Sequence, residues 1–315
     1  MGRGAAETIL HGLVAALAVM VILGAGRIRA CETRLRYWLL ATGCPVLLTP
    51  LYWLILPVRV GEDFRDEWSL FSGSHFSLLT WHGVRAGTVC ALVLALAGSL
   101  LYLRDLVPFV LDVARVRAGK RDLAAIPEAL AAAVATTAAA LATTAPRLAV
   151  LSTRHPVLIC RGLRRPLIVT SAGLLDMLPP DELLAAIAHE ISHAKRRDPL
   201  LGWGLMLVRG LFFFNPSVQL CARAAVHEIE RRADLAAARA VGSPGPVARS
   251  LRKLAGTGRD RARPAAARAW HGFRLAAIEE RCRALEGEGE AKAAPLWTLA
   301  ATAIGLGVIL FFTVA

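Results

Sequence analysis

Four stretches of the chain, 8–26, 37–57, 86–103 and 295–314, are almost free of charge and about as long as a bilayer is thick. A helix needs about 20 mostly apolar residues to cross the hydrocarbon region. In lipid, every backbone polar group of such a segment must be satisfied internally, which leaves helices as the natural form for long uninterrupted runs. The pattern predicts a mainly α membrane protein with about four transmembrane helices. Pro45 and Pro50 lie inside the second run and predict a kinked span. The first run exceeds the usual 7–15 apolar residues of a secretory leader and is read as a retained span. With 56% of residues hydrophobic and 19% charged, the rest of the chain must supply the water-facing part.

Arginine placement orients the spans. Arg27, Arg29, Arg34 and Arg36 follow the first run, and Arg104, Arg115, Arg117, Lys120 and Arg121 follow the third. The segment after the second run carries Glu62, Asp63, Asp66 and Glu67 against Arg59, Arg65 and Arg85. Basic segments stay on the cytoplasmic side. The expected organisation is a three-span region at 1–103, a cytoplasmic domain at 104–294, and a fourth span at 295–315, with both termini outside. The net charge of +13 is accounted for by basic loops beside anionic headgroups, and no direct nucleic-acid binding is expected. The six cysteines include no C-x-x-C pair, so no disulfide framework is expected. The outer segment 58–85, with Trp68, Phe71, Phe76 and Trp81, reads as an aromatic interfacial stretch, with a small sensing surface as the sharper alternative. The run 126–145 is built on alanine and threonine, which favour a helix in water over a span, so it is expected to pack into the cytoplasmic domain.

The chemistry of that domain is concentrated at 181–195, DELLAAIAHEISHAK. Positions four apart lie on one helix face, so His189 and His193 can present ring nitrogens to one point. Zn²⁺ takes such nitrogens at about 2.0–2.1 Å in a tetrahedron. Glu190, rotated off that axis, is placed to accept a proton from water activated by the metal. This is the H-E-x-x-H arrangement. Pro179, Pro180, Asp181 and Glu182 supply the start signals of the helix. Two histidines leave one zinc ion short of a protein ligand. Downstream, Glu230 and Asp234 share a helix face. Glu230 is expected to be the third ligand and Asp234 to hold a ligand imidazole by its other N–H. Glu228 and His227 compete for the third place.

With Arg196-x-Asp198, Phe214-Asn215-Pro216 and Glu230-x-x-Ala233-Asp234 added to the H-E-x-x-H element, the sequence resembles the gluzincin membrane peptidases. It is most similar to the BlaR/MecR-type antirepressor metallopeptidases. The HtpX-like proteases share fewer of these elements. The resemblance is densest over 156–242 and touches Ile278-Glu279-Glu280-Arg281. It implies a cytoplasmic gluzincin α+β domain with a small β-sheet, in which His189, His193 and Glu230 bind one zinc ion and Glu190 is the general base. The chain ends at Ala315, just after the fourth run, so the expectation is a receptor-type peptidase without the outer penicillin-binding sensor.

Short β-branched runs at 149–153, 156–160 and 166–170 predict that sheet. The last reads as an exposed edge on which a substrate peptide could add a strand, which makes Val169 and Thr170 the expected substrate-binding residues. His227 and His271 are candidate oxyanion donors. The function expected is an integral-membrane zinc endopeptidase acting on a protein or peptide, such as a cytoplasmic DNA-binding repressor. Membrane-protein quality control and a non-catalytic transducer are the competing roles. The segment 200–214 is apolar but short and holds Arg209, which fits a buried or membrane-dipping helix better than a span.

Overall fold

The computed structural model describes residues 3–55, 80–81, 84–119, 123–161, 166–256, 265–287 and 293–313. Most of the outer segment, with Trp68, Phe71 and Phe76, lies outside the described residues. The described chain is mainly helical with a small mixed sheet. Its contacts group into two units, Met1–Phe109 with Gly204–Glu228 and Lys292–Ala315, and Val110–Trp203 with Ile229–Ala291. This differs from a linear division at 103 and 295. Gly204–Glu228, inside the expected cytoplasmic domain, groups with the apolar helices because its buried polar groups find their partners there.

In the first unit, α1 (Arg3–Ala25) and α2 (Cys31–Ile55) pack side by side, joined by a tight connection in which Arg27 takes a left-handed φ of 46°. Ala15, Val19, Leu23, Tyr37, Ala41, Leu306 and Leu310 form its core, the last two from α11 (Leu296–Thr313). The strands β1 (Thr80–Trp81) and β2 (Val84–Arg85) form a small antiparallel pair ahead of α3 (Ala86–Gly119). Among the described residues, two segments are long and apolar enough to cross a bilayer, Glu7–Ala25 and Thr88–Val107, and Leu296–Phe312 is a shorter apolar helix. His11 sits inside the first of these fully buried, its Nδ1 2.9 Å from the Thr49 hydroxyl, so the polar ring has a partner away from lipid.

The second unit holds β3 (Leu123–Ala124), α4 (Glu128–Ala140), β4 (Arg147–Leu151), β5 (Leu158–Arg161) and β6 (Leu167–Ser171). These are followed by α5 (Ala172–Met177) and α6 (Pro180–Arg196), the helix that carries His189 and His193. The remaining helices are α7 (Asp198–Leu211), α8 (Pro216–Val241), α9 (Pro244–Gly256) and α10 (Ala265–Gly287). Of these, α7 and α8 carry residues of both units. The alanine-rich α4 buries Leu130, Val134 and Ala138 against Val150, Ile168, Ile187 and Ile191, so it is a packed helix of this unit.

The sheet order is β3-β4-β6-β5, and this corrects the reading of Val169 and Thr170. β6 pairs parallel with β4 on one side and antiparallel with β5 on the other. Its backbone therefore has no free edge for a peptide, and Val169 and Thr170 are 3% and 2% exposed. The physical reason is legible in Leu167-Ile168-Val169-Thr170-Ser171, which does not alternate between apolar and charged residues. Such a run marks a strand covered on both faces. Among the described residues, the terminal strand on that side is β5.

Candidate metal centre

Helix α6 is set firmly before its histidines arrive. Pro180 occupies the first turn, and the Leu183 amide donates to the Pro179 carbonyl at 2.8 Å. Glu182, 3% exposed, receives Lys253 Nζ at 2.7 Å and Arg249 Nε at 3.3 Å from α9. Ala185, Ala186, Ile187, Ala188 and Ile191 bury one side of the helix. The opposite end stops at Arg197, whose left-handed φ of 56° closes the helix and turns the chain directly into α7 at Asp198.

On this frame His189 Nε2 and His193 Nε2 lie 3.0 Å apart. From α8, Glu230 Oε2 stands 3.5 Å from His189 Nε2, and Oε1 stands 3.6 Å from His193 Nε2. The other nitrogen of each ring faces a buried carboxylate. His189 Nδ1 is 2.9 Å from Asp234 Oδ1, and His193 Nδ1 is 2.9 Å from Asp198 Oδ2. A carboxylate at Nδ1 favours the proton there and leaves the Nε2 lone pair turned inward. Two inward lone pairs 3.0 Å apart repel unless a proton or a cation lies between them. Three donors held by one ion at about 2.0–2.1 Å in tetrahedral geometry would stand about 3.3–3.4 Å apart. The observed separations and the donor chemistry fit a zinc ion.

Charge supports the same arrangement. Burial works against a protonated His189, but its contacts to Asp234 and then Glu230 outweigh this and push its pKa up to about 10. Burial opposes ionisation of Glu230 too, yet His189, His193 and Arg281 hold its carboxyl well below the ordinary range. The carboxylates of Asp234 and Glu230 thus place negative charge around His189, where a cation would be held. Asp234 is fixed by a two-pronged contact from Arg281 of α10, Nε and Nη2 both donating at 2.7 Å, and Arg281 Nη1 also reaches Glu230 Oε2 at 3.0 Å. Asp198 is held by a single contact from Arg232 Nη2 at 2.6 Å.

The structure therefore brings His189, His193, Glu230 and Asp234 together. Glu190 is half-buried beside them and makes no hydrogen bond or ion pair among the described residues. Glu228 is placed otherwise. It is 1% exposed and takes Arg34 Nε at 2.6 Å in the first unit. His227 is half-buried on α8. His271 falls on α10, but its side chain lies outside the described residues. Sequence reasoning gave no role to Asp198, Arg232 or Arg281. The signal for Asp198 was its place just past the end of the histidine helix. For Arg281 it was a basic residue in a short stretch already noted for its resemblance.

The family model described as BlaR1 peptidase M56 matches residues 90–281, more than half of the chain, and the chain belongs to that family. It is a membrane-associated peptidase family member. Over 75 residues the chain is 33% identical to Regulatory protein BlaR1 of Bacillus licheniformis. That alignment takes in 24% of this chain and 12% of the relative, so the chain spans only a small part of the relative's length.

Proposed function

We propose that the protein is an integral-membrane zinc endopeptidase that transmits a signal by cutting a cytoplasmic protein, with a DNA-binding repressor as the substrate class. The observation that carries the catalytic part is the convergence of His189 Nε2, His193 Nε2 and a Glu230 oxygen, all within 4.8 Å of one another, with Glu190 free beside them. The regulatory part rests on the family and on the relative's description as a regulatory protein. In this reading the spans are 8–26, 37–57, 86–103 and 295–314, both termini are outside, and the zinc ligands face the cytoplasm.

When bound, zinc supplies a Lewis acid that polarises the scissile carbonyl and acidifies water. The residues do the rest. Asp234 and Asp198 keep both imidazoles in the tautomer whose Nε2 carries the free lone pair. Glu230 adds one negative charge to the ligand set. Glu190 accepts a proton from the attacking water and delivers it to the leaving amine. The peptide lies along the outer edge of β5, which packs against α6 and takes over the role first assigned to β6. His227 and His271 remain the candidate oxyanion donors.

Glu190→Gln preserves size and removes the base. The variant is expected to retain about one zinc per chain and to lose about 10²–10⁴-fold in peptide cleavage. His189→Ala is expected to lose zinc and cleavage together. Zinc content of purified protein measured beside turnover of a repressor-type substrate decides the matter. Wild-type turnover by Glu190→Gln would end the hydrolytic reading.

A further inference from the structure

The connection between α7 and α8 reads Leu211-Phe212-Phe213-Phe214-Asn215-Pro216, an unusual composition for a turn that meets water. Its packing partner is the apolar segment Thr88–Val107 of α3. A Cβ built on Gly98 would lie 2.6 Å from the Phe214 carbonyl carbon and 2.8 Å from the Phe213 oxygen, so only glycine lets the two backbones approach. Closer to Val107, Tyr102 stands against Gly210, and Asp105 pairs with Arg209 Nη2 at 2.6 Å. Helix α7 thus runs antiparallel along α3, and the turn that follows it reaches Gly98. At 1.5 Å per residue, Gly98 lies about 14 Å from the Val107 end, close to half of a hydrocarbon layer about 30 Å thick.

We propose that α7, the triple-phenylalanine turn and the start of α8 form a re-entrant hairpin, entering the bilayer from the Val107 side of α3 and reaching about its midplane, with acyl chains as the occupant of its outer face. Two further observations support this. The first is exposure. Leu207, Leu211, Phe213 and Leu220 are 65%, 62%, 47% and 54% exposed, as open as Leu92, Leu96 and Leu100 on α3, the segment they accompany. The second is polar closure, which hydrocarbon demands of non-helical backbone. The Asn215 amide group donates to the Thr8 carbonyl at 2.9 Å, and its side-chain oxygen accepts from the Ser217 and Val218 amides. The Gln219 side-chain amide donates to the carbonyls of Arg209 and Phe212 at the end of α7, while its oxygen accepts from Arg209 Nε at 2.9 Å. The Asn215 and Phe212 amides donate to Phe212 and Val208 carbonyls. The polar atoms of the turn face inward and the apolar ones outward, the reverse of a water-exposed loop.

The inference rests on the membrane reading and is independent of peptide cleavage. The test places the photoreactive residue p-benzoylphenylalanine at Phe213, Leu211 or Leu207 in the full chain, reconstituted in phosphatidylcholine–phosphatidylglycerol vesicles. Leu96 serves as the lipid-facing reference and the exposed loop residue Thr144 as the water-facing one. After irradiation, mass spectrometry reads both the lipid adduct and the acyl carbon attacked. Phe213 and Leu211 are expected to give lipid adducts about tenfold above Thr144 and comparable to Leu96. Phe213 should attack carbons nearer the acyl terminus than Leu207 does. Attack confined to carbons near the glycerol from all three positions would mean a helix lying on the surface and would overturn the proposal. Adducts to a second copy of the chain, or a Thr144-like yield at both Phe213 and Leu211, would overturn it as well. Using two positions guards against one substitution that fails to fold.

Discussion

The first half of α8, 216–228, and the second half, 229–241, use polar residues differently. In the first half buried polar groups are saturated by protein. Gln219 exchanges hydrogen bonds with Arg209, and Glu228 is closed by Arg34 at 2.6 Å. In the second half Glu230 keeps a third of its side chain open, and its oxygens stand 3.5 and 3.6 Å from the histidine nitrogens, too long for hydrogen bonds. In the proposed reading, two glutamates two residues apart thus divide into a structural acid and a metal ligand. What separates them is that Glu228 is closed off by Arg34, whereas Glu230, although Arg281 Nη1 reaches its Oε2 at 3.0 Å, still turns both oxygens toward the histidine nitrogens.

The strongest way to break this comparison is to neutralise each glutamate in turn. Glu230→Gln removes an anionic ligand and is expected to lose zinc and cleavage together while the chain still folds. Glu228→Gln keeps an acceptor for Arg34 but removes the buried charge, and Arg34, partly exposed, still donates to the Ile28 carbonyl. Weakening this charge-assisted contact is expected to cost about 1–3 kcal/mol of stability, while zinc per folded chain should be unchanged. Metal analysis of the folded fraction beside thermal unfolding reads both. A Glu228→Gln protein that folds normally but loses zinc would reverse the assignment of the two residues.

A smaller effect sharpens the second half of the comparison. Asp234 and Asp198 touch the histidines on the side away from the metal position, at 2.9 Å each. Asp234→Asn and Asp198→Asn are each expected to lower zinc affinity about 10–100-fold, as for other carboxylates behind a ligand histidine. Competition with a chelator of known affinity measures this directly. Equal affinity to wild type in both variants would show that the rings hold their orientation without these acids.

How much of this was readable follows from the range over which each signal acts. The histidine pair and Glu190 were legible because one turn of one helix fixes their relation. Glu230 and Asp234 were legible as neighbours on a face, but choosing Glu230 over Glu228 from the residues needed the spacing to Asp234, since Arg34 lies far away in sequence. Arg281 could not be deduced at all from spacing, because it arrives from another helix. The apolar runs announced a membrane protein, yet only Glu7–Ala25 and Thr88–Val107 qualify as spans by length and composition among the described helices. The sheet was expected, but strand order was not. Pairing is a long-range property, and the apolar run of β6 pointed to the interior where the edge had been assumed.

The mildest test concerns how close the free carboxylate of Glu190 lies to the β5 edge. Cys160 pairs with Ile168 across β5 and β6, and Ile168 belongs to the core shared with α6, so Cys160 lies on the sheet face toward that helix. Burial first, and then the negative charges of Glu190 and Asp198, push its thiol up to about 12. At pH 8 the thiolate fraction is then about a thousandfold below that of an unperturbed cysteine, and alkylation by iodoacetamide slows accordingly. Glu190→Gln removes one of the opposing charges, so the thiol pKa falls, the thiolate fraction rises, and alkylation of Cys160 in metal-free protein is expected to quicken by about two- to fivefold. Burial, the larger cause, remains, so the rate should stay far below that of a free thiol. Mass spectrometry of the Cys160 peptide over time gives both rates. An unchanged rate in Glu190→Gln would mean that the carboxylate does not face β5, and a peptide lying on that edge would then be out of reach of the proposed base.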